Sequence, residues 1–190
     1  MIAETRAKLI AAARKAFAEH GYAEASMDDL TAAAGLTRGA LYHHFGSKQG
    51  LLEAVIAQID AEMAERLAAI TAAATSRWDG LVLENIGYVE LALEPEVQRI
   101  MLRDGPAVLG DPASWPSALA CIASIRGHIE QLQGDGVVRA EIDAEAAARM
   151  ISGASTDAAM WIANSSDPAA TSRRAIPAFK AMLEGLLRRD

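Results

Sequence analysis

The run from Ser26 to Lys48, SMDDLTAAAGLTRGALYHHFGSK, constrains this chain more than any other segment. Ser26 is a favoured N-cap, and Asp29 three residues later approximates a capping box. Asp28 and Asp29 also place negative charge at the positive end of a helix. Leu30, Ala33 and Ala34 then recur at helical spacing. Gly35 can take the positive φ that ends a helix in a sharp turn, and Leu36 plugs the corner. Thr37 caps a second helix whose buried side is Leu41 and Phe45. Arg38, Gly39, Tyr42 and His43 are left for its outward side, with His44 beside them. Gly46 stops this helix and Ser47 caps the next. The pattern predicts two short helices joined by a glycine turn.

Two residues favour a nucleic-acid ligand over a plain helical hairpin. A glycine inside a helix, as at Gly39, costs about 1 kcal/mol relative to alanine. Its bare backbone would allow close approach to a base pair. Lys48 lies in the first turn of a new helix, where a cation opposes the macrodipole by roughly 0.3–1 kcal/mol. A phosphate would relieve that conflict, because a helix N-terminus and a lysine both attract one.

The residues from about Arg6 to Ile56 resemble the DNA-binding region of TetR-type transcriptional regulators. The likeness rests on Ala16-Phe17, Gly21-Tyr22 and Ala34-Gly35-Leu36. It is most specific in Leu41-Tyr42-His43-His44-Phe45, followed by Ser47-Lys48 and Leu51-Leu52. It implies that the second helix of the motif enters the major groove of operator DNA. Arg38 and Gly39 would then face bases. Ser26 joins the DNA-binding set, and Thr37, Tyr42, His43, His44 and Lys48 would mainly hold the backbone. Tyr42 would also be placed to touch a thymine methyl. Thr31 departs from the family pattern, where alanine is usual at the helix crossing. Its hydroxyl can instead bond the carbonyl four residues back.

A formal net charge of −7 looks unsuited to DNA. It is unevenly spread: residues 1–50 carry +1 and residues 51–190 carry −8. The acidic remainder would repel DNA and help orient the N-terminal end toward it. The weak positive charge of that end predicts that two copies are needed for useful binding. Alanine richness, few aromatics and no β-branched runs predict an all-α fold. No apolar stretch has transmembrane length, and MIAETRAKLI lacks a signal-peptide core, so a cytoplasmic protein is expected, with no membrane partner. Cys121, the single cysteine, reads as a small core residue.

About nine helices are expected, in a head of residues 1–47 and a body of residues 48–190. The first helix spans about 3–20. The fourth runs from Ser47 until the Thr75–Asp79 region and links head to body. A fifth spans about Trp78 to Leu93, and a short sixth follows Pro95 and ends before Gly105. Residues 104–116, with three prolines and two glycines, read as a loop. Later helices are expected from Ser117 to Gln133, from Asp143 to Asn164, and after Pro168 to near Arg189. Pro177 should kink the last or delay its start.

Other chemistry has little support. Adjacent helical residues point about 100° apart, so His43 and His44 do not readily share a metal ion, and His20 and His128 stand apart. No HExxH, GxSxG, phosphate-binding glycine loop or CxxC occurs, so neither a metal, a cofactor nor an enzymatic activity is expected. The family resemblance implies a pocket for a small apolar or amphipathic ligand in the body, and Trp78, Met101, Met150, Met160 and Trp161 are candidates for its lining. The small residues Ser152, Gly153 and Ser155 suit close packing against a second copy. The resemblance implies such a homodimer, through a four-helix bundle of the last two helices. A ligand-responsive repressor on a palindromic operator is the leading expectation. An unswitched DNA-binding regulator, an activator and a helical partner-binding protein are the alternatives.

Overall fold

Alanine-rich stretches with good caps fold as helix along most of the chain. The computed structural model describes residues 2–188. Helix α1 is Ile2–His20, α2 Met27–Ala33, α3 Arg38–Phe45, α4 Lys48–Ala73 and α5 Arg77–Leu91. A π-helical segment, Val97–Asp104, leads into α6, Gly105–Leu109. A 3₁₀ turn at Pro112–Ser114 precedes α7, Pro116–Gly134. Helices α8, Ala144–Asn164, and α9, Pro168–Glu184, complete the fold. The expected all-α class is observed.

Side-chain caps set most of the starts. Ser76 accepts a hydrogen bond from the Asp79 amide at 3.0 Å, Asp143 from Ala146 at 2.7 Å, and Asp167 from Ala170 at 2.8 Å. The segment expected to be a loop, residues 104–116, is largely helical. Its prolines open helices rather than exclude them. Pro106 is in the first turn of α6, Pro112 starts the 3₁₀ turn and Pro116 starts α7. At such positions a missing N–H costs nothing. Pro177 neither delays nor ends α9, which runs through it. That helix stops at Glu184, short of the expected end near Arg189, which lies outside the described residues. After it, Leu187 pairs with Val138 in an isolated antiparallel bridge, and the Arg188 amide donates to the Val137 carbonyl at 2.9 Å.

Two compact units divide the chain. The first comprises the chain up to Ala61 together with Pro95–Gly110. This differs from the expected 1–47 head, because residues 95–110 join it through packing, the Arg14–Glu96 ion pair and hydrogen bonds to backbone of His20 and Tyr22. Its core is built from Leu9, Ala13 and Phe17 of α1, Leu30, Leu41, and Leu51, Leu52 and Val55 of α4, all buried. Val97, Ile100, Met101 and Leu102 are buried along the π-helical segment.

The second unit comprises Glu62–Glu94 and Asp111 onward. Its core gathers Leu81 and Val82 of α5, Ile125, Ile129 and Leu132 of α7, Ile151 of α8, and Phe179 and Leu183 of α9. One polar pair is enclosed in this unit. Asn85 Nδ2 donates to the Leu81 carbonyl at 2.8 Å, and the Ser155 hydroxyl lies 2.9 Å from the Ile151 carbonyl and 3.3 Å from Asn85 Oδ1. Both residues are thereby satisfied without water. No described helix is long and apolar enough to cross a membrane.

Candidate DNA-binding surface

The motif is assembled by reciprocal caps. The Ser26 hydroxyl accepts from the Asp29 amide at 3.0 Å and donates to Asp29 Oδ2 at 2.7 Å. Its role here is to start α2. The Thr31 hydroxyl lies 3.0 Å from the carbonyls of Met27 and Asp28, so its buried oxygen is satisfied as anticipated. At the far end Gly35 takes φ +65°, and the Leu36 amide returns to the Thr31 carbonyl at 2.9 Å. Thr37 then caps α3 by accepting from the Ala40 amide at 3.3 Å. Leu41 is fully buried and fixes the rotation of α3. Phe45 is only half-buried, with the Arg6 guanidinium 5.4 Å from its ring centre.

That rotation turns a polar face outward. Arg38, Gly39, Tyr42 and His43 are all exposed, and His44 is half-buried. Tyr42 is a large apolar ring left 50% accessible. The His43 and His44 rings meet edge-on at 5.4 Å. A Cβ added at Gly39 would meet only the Thr37 hydroxyl, at 3.8 Å. The chain itself therefore does not require glycine there, although a helix interior penalises it. Arg38 Nε pairs with Asp28 Oδ1 at 3.0 Å.

Lys48 is held more firmly than a solvated charge. Its ammonium donates to the Ala23 carbonyl at 3.2 Å and sits 4.4 Å above the Tyr22 ring. Desolvation there lowers its pKa, while Glu24 and Asp104 pull the other way. Tyr22 was legible in the sequence only as part of the Gly21-Tyr22 pair. Its role as the seat of Lys48, with its ring also 5.6 Å from Phe17, is evident only in three dimensions.

Family models match both parts of the chain. "Bacterial regulatory proteins, tetR family" covers residues 9–55, and "Tetracyclin repressor-like, C-terminal domain" covers residues 78–186. The chain belongs to the TetR family of transcriptional regulators. A crystal structure of a TetR-family regulator from Pectobacterium atrosepticum is 53% identical. It superposes with a TM-score of 0.90, over 99% of this chain and 96% of that one. Among curated relatives, the transcriptional repressor AcnR of Corynebacterium glutamicum is 44% identical over 61 residues, 32% of each chain. The regulator UidR of Escherichia coli is 43% identical over 54 residues, 28% of each. The chain thus matches about a third or less of these relatives' length. As a TetR-family member it is a DNA-binding regulator, and α2–α3 is its helix-turn-helix.

The residues expected to line a ligand pocket are dispersed. Met150 is 72% exposed and Trp161 47% exposed on the outside of α8, with Arg174 5.5 Å over the Trp161 ring. Neither lines the interior of the second unit. Met101 is buried in the core of the first unit, Trp78 packs against the core of the second, and Met160 is half-buried. A concavity of about 400 Å³ beside the α7–α8 turn is lined by Gln133, Val138, Arg139 and Arg188 among others, and by none of the five candidates. Of the small residues expected at a subunit seam, Gly153 is exposed and Ser152 half-buried. Ser155 is 3% exposed and faces Asn85 inside its own unit, so it is a core residue and not part of a seam.

Proposed function

We propose that this regulator binds a palindromic operator as a homodimer in the cytoplasm and represses by covering a promoter. In this reading a small apolar or amphipathic ligand, bound in the body, releases the operator. The observation that carries it is the outward face of α3. Arg38, Gly39, Tyr42 and His43 stand exposed together, on a helix capped by Thr37 and rotated by the buried Leu41. Arg38 reads a base edge in the major groove, and Gly39 lets α3 approach. Thr37, Tyr42, His43, His44 and Lys48 take phosphates and fix the register. Two such helices in a symmetric dimer would engage half-sites roughly 34–36 Å apart, or a multiple of that. The ligand would act by favouring dimers whose two heads no longer match this spacing.

Binding-site selection from random duplexes, followed by footprinting, tests this directly. The expected product is an inverted repeat protected on one face of the helix. A selection that enriches nothing above random sequence would end the operator reading. Thermal-shift screening of amphipathic metabolites, with each hit assayed for operator release, tests the switch.

A further inference from the structure

The first turn of α2 carries two carboxylates, and capping uses only one. Asp29 is engaged with Ser26 through both its amide and its side chain. Asp28 instead reaches α3, where its Oδ1 lies 3.0 Å from Arg38 Nε. Both side chains are well exposed, so the pair adds little to the stability of the free protein. An acidic group on a face that must approach phosphates is also an electrostatic cost. Asp28 shares with Asp29 the favourable place at the positive end of α2, but stability does not account for its reach to Arg38.

The geometry of the guanidinium does. Arginine presents its N–H donors in a rigid planar fork. A partner on Nε leaves the two terminal nitrogens as a free edge, and that edge matches the O6 and N7 acceptors of guanine. We propose that Asp28 is the positioning residue for base reading by Arg38. Its carboxylate limits the side chain to conformers that offer the terminal edge. It also repels phosphates that would otherwise draw Arg38 onto the backbone. Asp28 thus weakens binding to arbitrary DNA and sharpens preference for the correct base. This inference rests on the reading of Arg38 as a base contact.

The test uses the full-length protein and the site recovered by selection. Affinity is measured for that site, for the same site altered at the symmetric base pair read by Arg38, and for a random duplex. Arg38→Ala should reduce discrimination between the first two by roughly ten- to a hundredfold. Asp28→Ala should lose roughly tenfold of it while binding the random duplex more tightly. The double variant should discriminate no worse than Arg38→Ala alone. If alanine destabilises α2, Asp28→Ser repeats the test, since serine suits a first turn but is too short to reach Nε. Wild-type discrimination in the Asp28 variants, or losses that add to those of Arg38→Ala, would overturn the proposal. Unchanged base preference in Arg38→Ala would instead refute the base-reading role on which it rests.

Discussion

Arg14 and Glu96 form a two-point ion pair, Nε to Oε1 and Nη2 to Oε2, each 2.7 Å, although 82 positions separate them. Within the first unit the pair helps tie the Pro95–Gly110 segment to α1 and the turn after it. Arg99 Nη2 donates to the His20 carbonyl at 2.8 Å, and Asp104 Oδ2 accepts from the Tyr22 amide at 2.7 Å. Gly21, at φ +84°, is the residue between them, and a Cβ there would collide with the Arg99 guanidinium. The DNA-binding unit is thus completed by a segment distant in sequence.

Removing either partner of the Arg14–Glu96 pair should destabilise the first unit. A double-mutant cycle with Arg14→Ala and Glu96→Ala is expected to give a coupling of about 1 kcal/mol, limited by partial exposure of the carboxylate. Denaturant titration measures it, and a coupling of zero would make the pair incidental. A fragment ending at Ala61 should for the same reason melt with less cooperativity than the intact chain.

Lys48→Ala should weaken binding to selected and random duplexes by a similar factor. Its salt dependence should flatten by about one phosphate per subunit. Tyr22→Leu removes the ring beneath the ammonium while leaving Lys48 present, and should produce a smaller loss in the same direction. Fluorescence anisotropy over a range of salt distinguishes them. An unchanged slope for Lys48→Ala would remove this residue from the interface.

The motif was legible in the sequence because its determinants are local. Ser26, Thr31, Gly35 and Thr37 each act on backbone within five residues, so spacing alone predicts their bonds. The helical character of residues 104–116 is not legible in the sequence, because proline carries two opposite meanings. Pro106, Pro112 and Pro116 prevent a helix from continuing through them, yet each is well suited to begin one. The outward placement of Met150 and Trp161 is not legible either, because hydrophobicity does not report whether a large apolar side chain faces inward. Ser155 and Gly153 differ by two residues, and only the position of Asn85 reveals that the serine is internal. Arg14–Glu96 has no local signature at all.

Cys121, expected from the sequence to be a core residue, is instead exposed on α7, yet it should be a slow nucleophile. Burial of the thiol, reinforced by the Glu84 carboxylate, pushes its pKa up to about 11 from 9.0. The residue as a whole is exposed while its sulfur is partly desolvated, so retention of the proton and shielding of the sulfur act in the same direction. Alkylation by iodoacetamide should keep accelerating to about pH 11 in the native protein and level off near pH 9 in denaturant. Because the folded state holds this proton more tightly, its contribution to stability is complete below pH 9.0 and lost as the pH rises toward about 11. A native labelling profile that levels near pH 9 would contradict this.

Gly153 offers the cleanest test of assembly. Met150, Gly153, Asp157 and Trp161 follow each other along α8 at three- and four-residue spacing, and all are exposed. On α9, Ala178, Ala181 and Met182 are likewise exposed, with Met182 at 65%, as is Gly185 just past its end. Large apolar side chains left open in this way suit the core of a subunit interface. A Cβ built at Gly153 would meet nothing within 4 Å in its own chain. Gly153→Glu should therefore leave the isolated subunit at least as stable, since glycine costs a helix interior about 1 kcal/mol. In a seam between copies the same glutamate would be buried without a partner. Light scattering should find a wild-type dimer and a Gly153→Glu monomer with undiminished helicity. Trp161→Glu should behave alike, whereas Ser155→Glu should unfold the second unit, because that serine is 3% exposed. A monomeric wild type, or a Gly153→Glu dimer of wild-type affinity, would rule out this face as the dimer seam.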